Sequence, residues 1–125
     1  MTPAQTIHNT IETMTTAFAA GDLEKILATY SSEAVIVGDA GQEVRGQEDL
    51  TGLFREMLPA GAAFTYGAHQ VVVSGDIALH LMKWSAPDSQ GNYTSALSVA
   101  VLRRQADGLW KIVIDHPFGD QVMAI

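Results

Sequence analysis

Apolar residues recur at two different periods along this chain, and the change of period divides it. Before Gly61 they fall three and four positions apart. Ile7, Ile11, Met14 and Phe18 form one stripe; Leu23, Ile26, Leu27 and Tyr30 form a second; Leu50, Leu53, Phe54 and Met57 form a third. Such spacing puts apolar side chains on one face of a helix. From Phe64 onward the pattern changes to β-branched runs and two-residue alternation separated by Gly-containing turns, which is the pattern of strands joined by hairpins.

The boundaries carry their own chemistry. Thr2-Pro3-Ala4-Gln5 combines an N-cap Thr, a Pro at the first helical position and a Gln three residues beyond the cap, a capping box. Gly21 suits the left-handed residue that closes this helix, and Asp22 caps the shorter helix that follows at once. Ser31-Ser32-Glu33 breaks the helical pattern, and Ala34 to Val37 predicts a short strand. Gly38-Asp39-Ala40-Gly41 predicts a turn, with Gln42 to Arg45 as a small return strand. Gly46-Gln47-Glu48-Asp49 opens a third helix, its acidic residues placed where the helix dipole favours them, and Pro59-Ala60-Gly61 ends it.

The later strands are expected at Phe64 to Val73 and Ile77 to Trp84, around Ser74-Gly75-Asp76. A polar loop follows at Pro87-Asp88-Ser89-Gln90-Gly91-Asn92. The last hairpin runs from Ser95–Arg104 through Asp107-Gly108 to Leu109–His116, an Asp-Gly between apolar runs being a strong hairpin signal. Strict alternation puts Trp110, Ile112 and Ile114 on one face of the returning strand, and Lys111, Val113 and Asp115 on the other. Helices first and hairpin-linked strands later predict an α+β domain: a curved antiparallel sheet wrapped around N-terminal helices. Its outer face would carry Leu97, Val99, Val101, Trp110, Ile112 and Ile114. A second copy of the chain is the expected partner for it, giving a homodimer.

At 125 residues and 47% apolar, the chain predicts one folded domain over residues 1–125. A net charge of −7 argues against nucleic-acid and membrane partners, which need clustered Lys and Arg. The absence of cysteine excludes disulfides and thiolate catalysis. Neither a signal peptide after Met1 nor a membrane-length apolar run is recognisable, so a soluble, cytoplasmic protein is expected.

Four stretches in this order resemble the nuclear transport factor 2-like superfamily, and within it the SnoaL-like and ketosteroid-isomerase-like branch. They are Ala17 to Leu23, Tyr30 to Val35, Val44 to Glu48 and Leu102 to Val113. The resemblance implies the cystatin-like cone, an apolar cavity for a small organic molecule, commonly a dimer, and for some members cofactor-free isomerase, cyclase or dehydratase chemistry. The steroid isomerases' catalytic base, and the Tyr and Asp of their oxyanion hole, are matched here by Gly38, Met14 and Ala100. That departure argues against steroid isomerisation by their mechanism. A non-catalytic ligand-binding module and a dimerisation domain stand as the rival readings.

Asp115 and His116 are the candidate catalytic residues. Asp115, on the face the resemblance assigns to the cavity, is either a desolvated carboxylate poised for proton transfer or a solvated strand end. His116 is either a second proton-transfer group or a surface or interface histidine. Met14, Phe18, Tyr30, His80, Trp84 and Val113 are the candidate ligand-binding residues; plain core packing competes for Met14, Phe18 and Trp84. Asp39, His80, Asp115 and His116 show no metal-ligand spacing, so neither metal nor cofactor is expected.

Overall fold

The computed structural model describes residues 2–38, 41–61, 63–87 and 90–121. Three helices come first. Helix α1, Pro3–Ala20, starts on the expected capping box: the Thr2 Oγ1 accepts from the Gln5 backbone N–H at 3.2 Å, and the Thr2 N–H donates to the Gln5 side chain at 2.8 Å. Gly21, at φ 70°, ends it, and Asp22 caps α2, Leu23–Ala28. Helix α3 is Gln47–Gly61. Each buries the face its periodicity predicts: Ile7, Ile11, Met14 and Phe18 on α1, Ile26 on α2, Leu50 and Phe54 on α3.

The strands are β1 Tyr30–Val37, β2 Glu43–Arg45, β3 Thr65–Ser74, β4 Ile77–Pro87, β5 Tyr93–Arg104 and β6 Trp110–His116. They form one open sheet in the order β2-β1-β6-β5-β4-β3. Strand β1 runs parallel to β6 and all other neighbours are antiparallel, so the sheet is mixed where an antiparallel one was expected. Ser31-Ser32-Glu33 does not break the chain. It belongs to β1, which starts at Tyr30 straight after α2, so Tyr30 is a strand residue and not the end of a helix. Local pattern misses this because β1 is supported from outside, with its partner β6 more than seventy residues downstream. Asp39, and Asp88-Ser89 of the expected loop, lie outside the described residues.

The main correction concerns β6. Val101 pairs with Ile114, but Leu102 pairs with Ile112, so Val113 is an extra residue on β6. Such a bulge resets the alternation by one. Trp110 and Ile112 therefore point into the core, at 5% and 1% exposure, and so does Asp115 at 8%. Ile114 faces out, 46% exposed. Trp110 and Ile112 are thus no part of the outer apolar face. Leu97, Val99 and Val101 alternate with the buried Ala96, Ser98, Ala100 and Leu102 and take the outer side. Exposed Val72, Ile77, Leu79 and Ile114 complete that side.

Candidate functional site

The inner faces of α1, α3 and the sheet do not close completely on one another. They leave a cavity of about 430 Å³, in the size range of small-molecule sites. Its wall is rich in aromatic rings. Tyr30, Phe54, Phe18, Phe64, Trp84 and Phe118 all line it. Successive ring centroids in that order lie 5.0, 5.7, 6.2, 5.7 and 5.3 Å apart, in tilted and edge-to-face arrangements, the geometry that ring quadrupoles favour. The segment after β6 completes the wall: Trp84 Nε1 donates to the Pro117 carbonyl at 2.7 Å, and the Gly119 N–H to the Leu97 carbonyl at 2.8 Å. Position 119 must be small, since a Cβ there would lie 2.6 Å from Val99 Cγ2.

Polar chemistry in this wall centres on two residues. The Tyr30 hydroxyl donates to Asp115 Oδ2 at 2.5 Å, with the Met14 sulfur 3.5 Å from the same hydroxyl. Tyr30 is set by the start of β1, where the Ile112 N–H is held by the Thr29 carbonyl. Asp115 is set by the bulge, between its Cα partners Ile36 on β1 and Ala100 on β5. Burial pushes the Asp115 carboxyl up to about 6, against the opposing effects of the Tyr30 hydroxyl and His116. Burial first, and then the Asp115 charge, push Tyr30 well above the usual phenol range. A carboxyl at about 6 is available as either acid or base near neutral pH.

The structure brings Met14, Phe18, Tyr30, Trp84 and Asp115 together around one cavity. It separates the other three candidates from them. Val113 is the half-buried bulge residue and does not line the cavity. His116 follows Asp115 on β6 as the Cα partner of Val99, and its Nδ1 is buried with no hydrogen-bond partner among the described residues. His80 is 1% exposed and sits in a second cluster, its Nε2 3.2 Å from His69 Nδ1, with the His69 ring edge-on to His8 of α1 at 4.3 Å. Burial, then His69 and His8, hold His80 down to about 4. Among the described residues, no group of three or more His, Asp or Glu could hold a metal ion.

Sequence reasoning did not single out Phe54, Phe64, Tyr66, Ser98 or Phe118 as wall residues, nor His8 and His69 as partners of His80. Spacing along the chain holds no signal for the first group, because its members come from α3, the residue before β3, β3, β5 and the segment after β6. A histidine on each of two adjacent hairpin strands was a usable signal for the His69–His80 pair.

The model of the SnoaL-like domain matches residues 11–113, and the chain belongs to that family. Among solved structures it is similar to a ketosteroid isomerase-like protein from Erwinia carotovora atroseptica SCRI1043, at 22% identity over 90% of this chain and 92% of that one, with a TM-score of 0.74. It is similar to an NTF2-like protein of unknown function from Pseudomonas putida KT2440, at 20% identity over 90% and 83% of the two chains and a TM-score of 0.78. The CaMKII hub of S. rosetta is a third, at 19% identity over 93% and 95%, with a TM-score of 0.77. No curated protein matches the chain. At these identities the structural likenesses establish the NTF2-like, cystatin-like fold alone. Isomerase-like and hub proteins share it, so the fold does not choose between chemistry and assembly.

Proposed function

We propose that this chain binds a small, largely apolar organic molecule in the aromatic cavity and exchanges a proton with it at Asp115, without a cofactor. Tyr30 holds the carboxyl in place and Met14, Phe18 and Trp84 are part of the wall. The observation that carries this reading is the Tyr30–Asp115 hydrogen bond of 2.5 Å in a largely apolar cavity. A charged group is expensive there, and a fold tolerates it most readily where it is used.

The departures from the steroid isomerases support proton transfer by a rearranged set of groups. Met14 and Ala100 stand where the resemblance puts their Tyr and Asp. The Tyr30 hydroxyl lies beside the Met14 sulfur, and Asp115 is paired with Ala100. The same two functional groups therefore reach the cavity from neighbouring positions. Gly38, at the third matching position, contributes no side chain, so steroid isomerisation is not the reaction proposed.

The experiment is calorimetric titration with an apolar aromatic ligand that raises the melting temperature, run in buffers of different ionisation enthalpy. Proton uptake or release on binding should be measurable near pH 6 and absent in Asp115→Asn. Binding with no proton exchange in the native chain would leave a binding module. No binding by any apolar compound would remove the pocket reading.

A second reading is favoured by one observation of its own. The outer sheet face exposes Val72, Ile77, Leu79 and Ile114 beside half-buried Leu97, Val99 and Val101. We infer a homodimer through this face. The likeness to a hub protein supports an assembly role without requiring one. His116 belongs to this face in the proposal, where a partner could satisfy its buried Nδ1.

A further inference from the structure

The polar chemistry of the cavity is one-sided. Asp115 is the carboxylate in its described wall, and none of the chain's seven lysines and arginines lines it. The hydrogen-bond partner of Asp115 is a neutral hydroxyl. The groups packed nearby add little positive charge: Met14 and Phe18 come from α1, Phe54 and Met57 from α3, Ser98 from β5 and Tyr66 from β3. His116, next along β6, is the titratable base whose charge reaches Asp115. Starting from Tyr30, the Asp115 partner, the six aromatic rings then run without a break to Phe118.

We propose that the ligand carries a protonated amine, with its nitrogen against Asp115 and its apolar body along the aromatic wall. This rests on the reading that the cavity binds a small organic molecule, and it names that molecule's polar group. The buried carboxylate has no lysine or arginine beside it in the cavity wall, and an ammonium supplies a direct counter-charge together with N–H donors for the oxygen that Tyr30 leaves unused. The ring faces carry negative quadrupoles and attract the same cation. An anionic ligand meets repulsion from Asp115 and no lysine or arginine in the described wall to offset it. A neutral ligand leaves the carboxylate uncompensated. The proton exchanged near pH 6 is then that of Asp115: as the ion pair forms, the carboxyl O–H bond breaks, its electron pair stays on oxygen, and the proton passes to the amine where the ligand arrives neutral and to solvent where it arrives protonated.

The test compares naphthylmethylamine with naphthylmethanol, two probes of one shape that differ in charge, by calorimetry on the full chain at about pH 8 and about pH 5. The amine is protonated at both. It should bind roughly tenfold or more tightly than the alcohol at the higher pH. That preference should vanish at the lower pH and in Asp115→Asn, and persist in Tyr30→Phe, which keeps the carboxylate. Melting curves establish that each variant is folded. If the alcohol binds the native chain as tightly as the amine at pH 8, or if the preference survives in Asp115→Asn, the amine assignment is overturned while the pocket stands. If neither probe nor any other apolar compound binds, the pocket reading falls and takes this inference with it.

Discussion

Tyr30 and Asp115, 85 positions apart in the chain, share a hydrogen bond of 2.5 Å inside an aromatic cavity. The contact depends on two local irregularities: β1 starts immediately after α2, which places the hydroxyl, and β6 bulges at Val113, which turns the carboxyl inward.

Asp115 gives the fold a pH dependence of defined sign. Its folded value of about 6 lies above the unfolded one, so its contribution to stability is fully present below the unfolded value and is lost as pH rises through about 6. A shift of this size corresponds to roughly 3 kcal/mol, as an order of magnitude. Asp115→Asn should therefore be close to neutral at pH 4 and stabilising at pH 8. Chemical denaturation at the two pH values checks it, and destabilisation at pH 8 would contradict the assignment.

Tyr30→Phe removes the donor that lowers the Asp115 value. The carboxyl should then titrate higher than in the native chain, which a carbon-detected NMR titration of Asp115 reads directly. Losing one buried hydrogen bond should also cost about 1–3 kcal/mol of stability. An unchanged or lower titration midpoint would show that the two side chains do not interact in solution.

The histidine cluster predicts the opposite slope. His80 is held down to about 4 by burial and by His69 and His8, and His69 is lowered as well, by burial and then by His8. Groups whose folded values are depressed in this direction favour the neutral form, so stability is present above the unfolded histidine value and is lost as pH falls from there toward the folded one. Between about pH 4 and 6 this loss opposes the gain from Asp115. The native chain should show a shallow stability profile in that window. Asp115→Asn should reveal a steep acid limb in melting temperature, and His80→Gln should flatten it.

Val113 is the residue that β6 has in excess of β5. Deleting it leaves Leu102 opposite Ile112, Val101 opposite Ile114 and Ala100 opposite Asp115 in an unbroken ladder, with Asp115 still inward and Ile114 outward. The Asp115 carboxyl should therefore keep a value near 6 in an NMR titration of the deletion variant. A fall into the ordinary carboxylate range would show that this register does not set the inward orientation of Asp115.

For the proposed dimer, Leu79→Lys and Ile114→Lys place charges on the outer face without touching the core. Sedimentation at micromolar concentration should show the native chain at twice its chain mass and these variants at the chain mass. Native chain that sediments as a monomer would remove the dimer.

The helices were legible in the sequence because what specifies them is local. The capping box at Thr2 and Gln5, the Gly21 and Asp22 boundary and the three apolar stripes each act within one or two turns. The last hairpin was legible for the same reason, through Asp107-Gly108 and its flanking runs. Asp115 was placed on the cavity face by supposing that Trp110 faces outward. The structure puts both inside, because one inserted residue reverses every later position on a period-two strand.

Only the tertiary structure decided which residues meet. Val113 is a bulge because Leu102 and Val101 pair with Ile112 and Ile114 on another strand, and nothing within β6 encodes it. Tyr30 is a strand residue because β6 supports it there, although its own neighbours read as a helix end. His8, His69 and His80 converge because α1 lies across the β3–β4 hairpin. Helix stripes and turns are determined by neighbours along the chain. Strand register, and every contact that depends on it, is determined by partners that the chain brings back from far away.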